Sequence, residues 1–239
     1  ADLDYVATTS LALNLGTIRD AATNNATLTL ASPAGAGSLG ANQAIIVDTT
    51  TPTVTTSTDP ATYSTATSVS FAWTGGTDTN LTSYNVKACT NSDCATGCVG
   101  ATTSVASPVT VGSMVNGSSY YVCTQAADLA GNLAAWDASS TTVTIDTTAA
   151  TVTGVTASAN GYFKSAGSVN ILVTFSENVT VTGTPQITLE TGVTDSVVDY
   201  TSGSGTNVLT FAYTVDATDT SADLDYVATT SLALNLGTI

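Results

Sequence analysis

The chain has 239 residues, with 3 basic side chains, 18 acidic ones and no histidine, for a formal net charge of −15. Nucleic-acid binding and docking to anionic membranes both need clustered Lys and Arg; here Arg19, Lys87 and Lys164 stand far apart, which excludes both. No run of about 18 apolar residues is present, so no helical membrane insertion is expected of this segment. A hydrophobic content of 43% is nonetheless enough for packed cores.

Sixteen of the acids are Asp and two, Glu177 and Glu190, are Glu. Asp, Thr, Ser and Gly favour turns and strands over helices, so the composition predicts an all-β protein. Residues 1–18 read ADLDYVATTSLALNLGTI, and residues 222–239 repeat them without a difference, 221 positions later. A period of that length holds about two domains of ordinary size. The expected object is a tandem array, with the ends of this sequence falling inside domains.

Taken in order, Leu3 and Tyr5, then Leu11, Leu13 and Leu15, then Leu28 and Leu30, and finally Ile45–Val47 follow the period-2 alternation of half-buried strands. Residues 32–42 read as a Gly/Ala loop between the last two. The segments IVDTTTPTV (46–54) and TIDTTAATV (144–152) match as two linkers, each following a strand that ends in Asp-Thr-Thr. They divide the chain into the end of one sandwich (1–50), a complete domain (51–148) and the beginning of the next copy of the first (149–239).

In the middle domain, Val69, Phe71 and Trp73 alternate with small residues. Tyr84, Val86 and Ala88 follow, and residues 119–127 and 140–146 are further strands. Short strands with turns every 8–12 residues are the signature of a sandwich. The pattern Trp73, Tyr84, Val86, Tyr121 with NGSSYYVCTQAADLAGN resembles fibronectin type III modules, more closely the cysteine-bearing kind in very long bacterial surface proteins. In the last part, Val169, Ile171, Val173 and Phe175, then Leu209, Phe211, Tyr213 and Val215, are the alternating core positions. That stretch resembles the bacterial Ig-like repeats of giant adhesins and biofilm-associated proteins.

The resemblance implies tandem β-sandwiches, one fibronectin-like and one Ig-like, in an extended extracellular array. It also implies a supporting role in cell-surface adhesion, with neighbouring copies packed head to tail. The ligand would lie on a host cell, a prey cell or a matrix. The alternative is a module that binds carbohydrate or protein through the loops of the middle domain and an exposed Trp136.

Cys89, Cys94, Cys98 and Cys123 all fall in the middle domain. With no histidine and no C-x2-C spacing, disulfides fit better than a metal site. Fibronectin topology favours Cys89–Cys123 across adjacent strands with Cys94–Cys98 closing the loop; the alternative is Cys89–Cys98 with Cys94–Cys123.

No cofactor is expected, with calcium the one metal to consider. The acidic run 216–225 carries Asp216, Asp219, Asp223 and Asp225, and its copy opens the chain with Asp2 and Asp4. A solvated turn is the plainer reading, since a hard cation wants six to eight oxygens and EF-hand spacing is absent. The two D-x-A-x-N turns, Asp20–Asn24 and Asp128–Asn132, read as backbone-bonding turns. Calcium ligation there would need Asp48 or Asp146 as well. Without histidine there is no Ser-His or Cys-His pair, and the chain is not expected to be an enzyme.

Overall fold

The computed structural model describes residues 2–239. The chain is all-β and divides into two compact units, Ala1–Thr147 and Thr148–Ile239.

Among the described residues, ten strands build the first unit: β1 (Thr55–Ser57), β2 (Tyr63–Ser64), β3 (Val69–Phe71), β4 (Trp73–Gly75), β5 (Leu81–Cys89), β6 (Cys98–Ser104), β7 (Val109–Val111), β8 (Ser119–Asp128), β9 (Asp137–Ala138) and β10 (Val143–Ile145). One layer has the order β2-β10-β8-β5-β6, with β9 also on β8; the pairs β1–β4 and β3–β7 form the other. The alternating run 69–73 breaks at Ala72, where the chain leaves β7 and joins β1. Phe71, Trp73, Val111 and Met114 face Val86, Ala88, Tyr120, Val122, Val143 and Ile145 in a single core. The inward set read from the sequence is thus the core, with Tyr84 half-buried beside Trp73 at a ring separation of 5.1 Å.

Among the described residues, 2–50 contain no strand, although four were expected there. A short helix, α1 (Leu39–Asn42), with Ser38 as its N-cap, stands in the Gly/Ala loop. The alternating segments meet through isolated bonds: Leu3 N–H to Ile45 O at 2.6 Å, Leu30 N–H to Thr8 O at 2.8 Å, and a bridge between Arg19 and Asn25. A strand needs a neighbour along its length to satisfy its backbone, and these residues have none.

The disulfides correct the favoured pairing. Cys89 is bonded to Cys98 and Cys94 to Cys123. The reason is register: Cys89 lies directly opposite Cys98 in the β5–β6 hairpin, whereas across β5–β8 it faces Tyr121, and Cys123 faces Lys87. A positive φ at Gly97 turns the hairpin so that Cys98 meets Cys89, and a Cβ there would collide with Thr90.

The second unit has seven strands: β11 (Val152–Ala157), β12 (Ser168–Val179), β13 (Gln186–Glu190), β14 (Ser196–Ser202), β15 (Thr206–Thr214), β16 (Asp225–Tyr226) and β17 (Leu232–Ala233). Their order is β11-β12-β15-β14-β13-β16, with β17 also on β13. The early half of β14 pairs with β13 and its later half with β15, so this strand joins two layers. Between them lie Val169, Ile171, Val173, Phe175, Ile187, Leu189, Leu209, Phe211 and Tyr213, the alternating positions of each strand.

Candidate functional site

Three features carry chemistry beyond packing. The first lies on the outer face of β5 and β8. Cys89, Cys94 and Cys123 are buried there, with Tyr121, Trp136 and Ala138 packed against them. The loop between β5 and β6 folds over the sheet through Cys94, so both disulfides sit in a small second core. Trp136, expected as an exposed ring, is half-buried against this cluster, and Lys87 Nζ lies 3.9 Å from its ring centre. Two closed disulfides mark a protein of an oxidising compartment.

The second feature is a set of carboxylates. Of the predicted acids, Asp219 is half-buried and fully engaged. It accepts Tyr213 Oη at 2.7 Å, the Asp216 N–H at 2.7 Å and Ser196 Oγ at 3.3 Å. The Asp216 amide, then the Tyr213 and Ser196 hydroxyls, hold its carboxyl below the usual range, while burial and Asp219 push the Tyr213 phenol up. Asp216 accepts the Ala217 N–H, Asp225 accepts the Tyr226 N–H, and Asp223 is exposed. In the first copy Asp4 accepts the N–H groups of Tyr5 and Ala34, and Asp2 is exposed.

Among the described residues, the acids that converge are instead Asp48, Asp78 and Asp128, whose carboxylate oxygens lie within 4.8 Å of one another. Each is placed by a local turn. Asp48 accepts the Thr50 N–H, Asp78 accepts the Asn80 N–H, and Asp128 accepts both the backbone N–H and the side-chain amide of Asn132. Two amides stitch the set together: Asn80 donates to Asp48 Oδ2 at 3.1 Å, and Asn132 to Asp48 O at 3.1 Å. The Thr50 amide and then the Asn80 amide hold the Asp48 carboxyl below the usual range. Hard oxygens of this kind suit Ca²⁺ or Mg²⁺ and supply three of the positions such an ion fills. The DLAGN turn and Asp48 were legible in the sequence; Asp78 was not. Its only signal is the Asp-Thr-Asn turn before β5.

The third feature is a groove of about 920 Å³ in the second unit. It runs between β11, at Val155–Ala157, and residues 219–226, over Ile171, Leu189 and Tyr213. These borders are the two edges of the sheet, so the sandwich is open along this line.

No protein-family model and no curated protein matches the chain. Among solved structures it is similar to chitinase ChiA74 from Bacillus thuringiensis, with 17% identity and a TM-score of 0.32 over 74% of this chain. The chain spans 29% of that chitinase.

Proposed function

We propose that this chain is a structural segment of a long extracellular bacterial surface protein, an adhesin or fibre, whose sandwich domains space and support a ligand-binding part. The observation that carries this reading is the exact recurrence of eighteen residues 221 positions apart. A stretch kept identical in this way fits selection for length and stability over a single unique site.

The geometry of the first unit supports it. The chain reaches the middle sandwich at Asp48, beside Asp128 at one end of β8. It leaves at Ile145–Thr147, bonded to Ser118 and Asn116 at the other end. β8 is ten residues long, so the two points are separated by about 30 Å, as a spacer requires. Two crossing disulfides tie β5, β6 and β8 at this centre. Trp136 is covered by Lys87 and is no open platform for a sugar. The chain is read as non-enzymatic, with neighbouring copies as its structural partners and the ligand on a host, prey or matrix surface.

Single-molecule pulling tests the role. The oxidised chain should unfold in two events, and reduction should release roughly 30 residues held between Cys89 and Cys123, lengthening the first by about 100 Å. Saturable glycan binding by the oxidised chain, lost in Trp136→Ala, would sink the spacer reading in favour of a binding module.

A further inference from the structure

The chain contains two Asn-Gly pairs, Asn116–Gly117 and Asn160–Gly161. Such a pair has a reaction of its own. The main-chain nitrogen of the glycine can attack the side-chain carbonyl carbon of the asparagine, and glycine favours the attack because it has no Cβ to shield that nitrogen. The structure gives the two pairs equal access and unequal freedom.

All four residues are exposed, and beyond the chain neighbours nothing lies within 4 Å of a Cβ placed at either glycine. Both glycines hold a positive φ, 78° at Gly117 and 136° at Gly161, so each turn calls for glycine and with it an unshielded nitrogen. The hydrogen bonds differ. Gly117 N–H donates to Ile145 O at 2.7 Å, and Asn116 Oδ1 accepts the Thr147 N–H at 2.8 Å. These bonds hold the attacking nitrogen and the side-chain amide of the first pair on separate partners. Among the described residues, neither the Asn160 side chain nor the Gly161 N–H has a hydrogen bond. The second pair lies in a wholly exposed run, residues 156–166, between β11 and β12. The nearest backbone bonds on either side are Ser158 N–H to Asn170 O at 2.9 Å and Gly167 N–H to Lys164 O at 2.8 Å.

We propose that Asn160 is a site of spontaneous covalent modification, passing through a cyclic succinimide to isoaspartate and aspartate, and that Asn116 in the same motif is protected by its hydrogen bonds. In the first step Gly161 N bonds to Asn160 Cγ, and its proton leaves with the side-chain NH2 as ammonia. Water, the one co-reactant, then opens the ring, its hydroxyl going to a carbonyl carbon and its hydrogen to Gly161 N. Attack at Cγ gives aspartate. Attack at the main-chain carbonyl of Asn160 gives isoaspartate, with the chain now running through Cβ and Cγ. Either product adds a carboxylate to a chain already at −15. Isoaspartate also adds a methylene to the main chain. Because residues 156–166 are exposed throughout, the loop takes up this length, and the pairing of β11 with β12 from Ala157 opposite Ile171 onward is kept. In a spacer this is a slow ageing step that leaves the sandwich standing.

Incubation of the full oxidised chain at mildly alkaline pH, where the amide proton is lost more readily, tests this. Peptide mapping by mass spectrometry follows each asparagine, with isoaspartyl and aspartyl peptides separated. Asn160 should convert about tenfold faster than Asn116 or more, the factor supplied by two hydrogen bonds that must open before the ring can close. Isoaspartate should be among the products, and the circular dichroism should not change. In the reduced chain in denaturant the bonds at Asn116 are gone, and the two rates should converge. Asn160→Gln, which would have to close a larger and slower-forming ring, should remove the change at 160 with the fold intact. A stable Asn160 in the folded chain, equal rates at the two sites there, or aspartate without isoaspartate overturns the proposal. Rates that stay as far apart in denaturant overturn the protection of Asn116 by its bonds.

Discussion

Residues 2–18 and 223–239 are one sequence in two surroundings, and they divide what is local from what is not. The turns are the same in both. Ser10 N–H bonds Ala7 O and Ser231 N–H bonds Ala228 O; the hydroxyl of each serine accepts the amide of the same alanine. Asn14 and Leu15 have φ of 44° and 68°, and Asn235 and Leu236 have 46° and 62°. The strands differ. The second copy forms β16 and β17 because β13 lies beside it, while the first forms none. Turn chemistry is carried by the eighteen residues, and strand formation by the neighbour.

The largest expected effect comes from removing that neighbour's support. Leu189 is buried in the second core and lies opposite Tyr226. Leu189→Ala should destabilise the second unit by about 2–5 kcal/mol. It should unpair 225–233 and leave the amides of 2–18 exchanging as before. Hydrogen exchange resolved by segment checks this. Equal loosening of both copies would show that pairing with β13 is not what separates them.

The same division decides what could be read from the sequence. Alternation located β3, β5, β8, β12 and β15 and their inward residues, because burial of one face imposes period 2 on any strand. It also marked 28–30 and 45–47, which have the pattern but only isolated bonds to Thr8 and Leu3 in place of a neighbouring strand. The cysteine pairing depended on whether Cys89 faces β6 or β8, a matter of register between strands that no spacing within one strand contains. The carboxylate set shows the same limit. The turns at Asp128 and Asp48 are local and legible, but their meeting with Asp78 is produced by three separate segments arriving at one end of the sandwich.

A smaller effect sharpens the local half of the comparison. Leu15 and Leu236 project fully into solvent and hold a left-handed backbone that glycine adopts without strain. Leu15→Gly and Leu236→Gly should each stabilise their unit by about 0.5–1 kcal/mol. Melting of the two variants should give matching shifts. A shift in one copy alone would mean that the turn, too, depends on its surroundings.

The smallest effect concerns Asp4, whose carboxyl is held below the usual range chiefly by the Ala34 amide and further by the Tyr5 amide. Because the folded value is depressed, the stability this contact supplies is fully present above the unfolded carboxyl value of about 3.9. It is lost as pH falls through the folded one. The contact between 2–8 and 30–45 should therefore loosen on acidification, seen as faster exchange of the Ala34 amide relative to its intrinsic rate. Asp4→Asn should flatten that dependence, since a neutral amide does not titrate. Asp225→Asn, in identical sequence but with its carboxylate on the Tyr226 amide and not on Ala34, should leave Ala34 unchanged. If both substitutions altered Ala34 alike, the acid response would belong to the net charge of −15 and not to the contact that distinguishes the first copy.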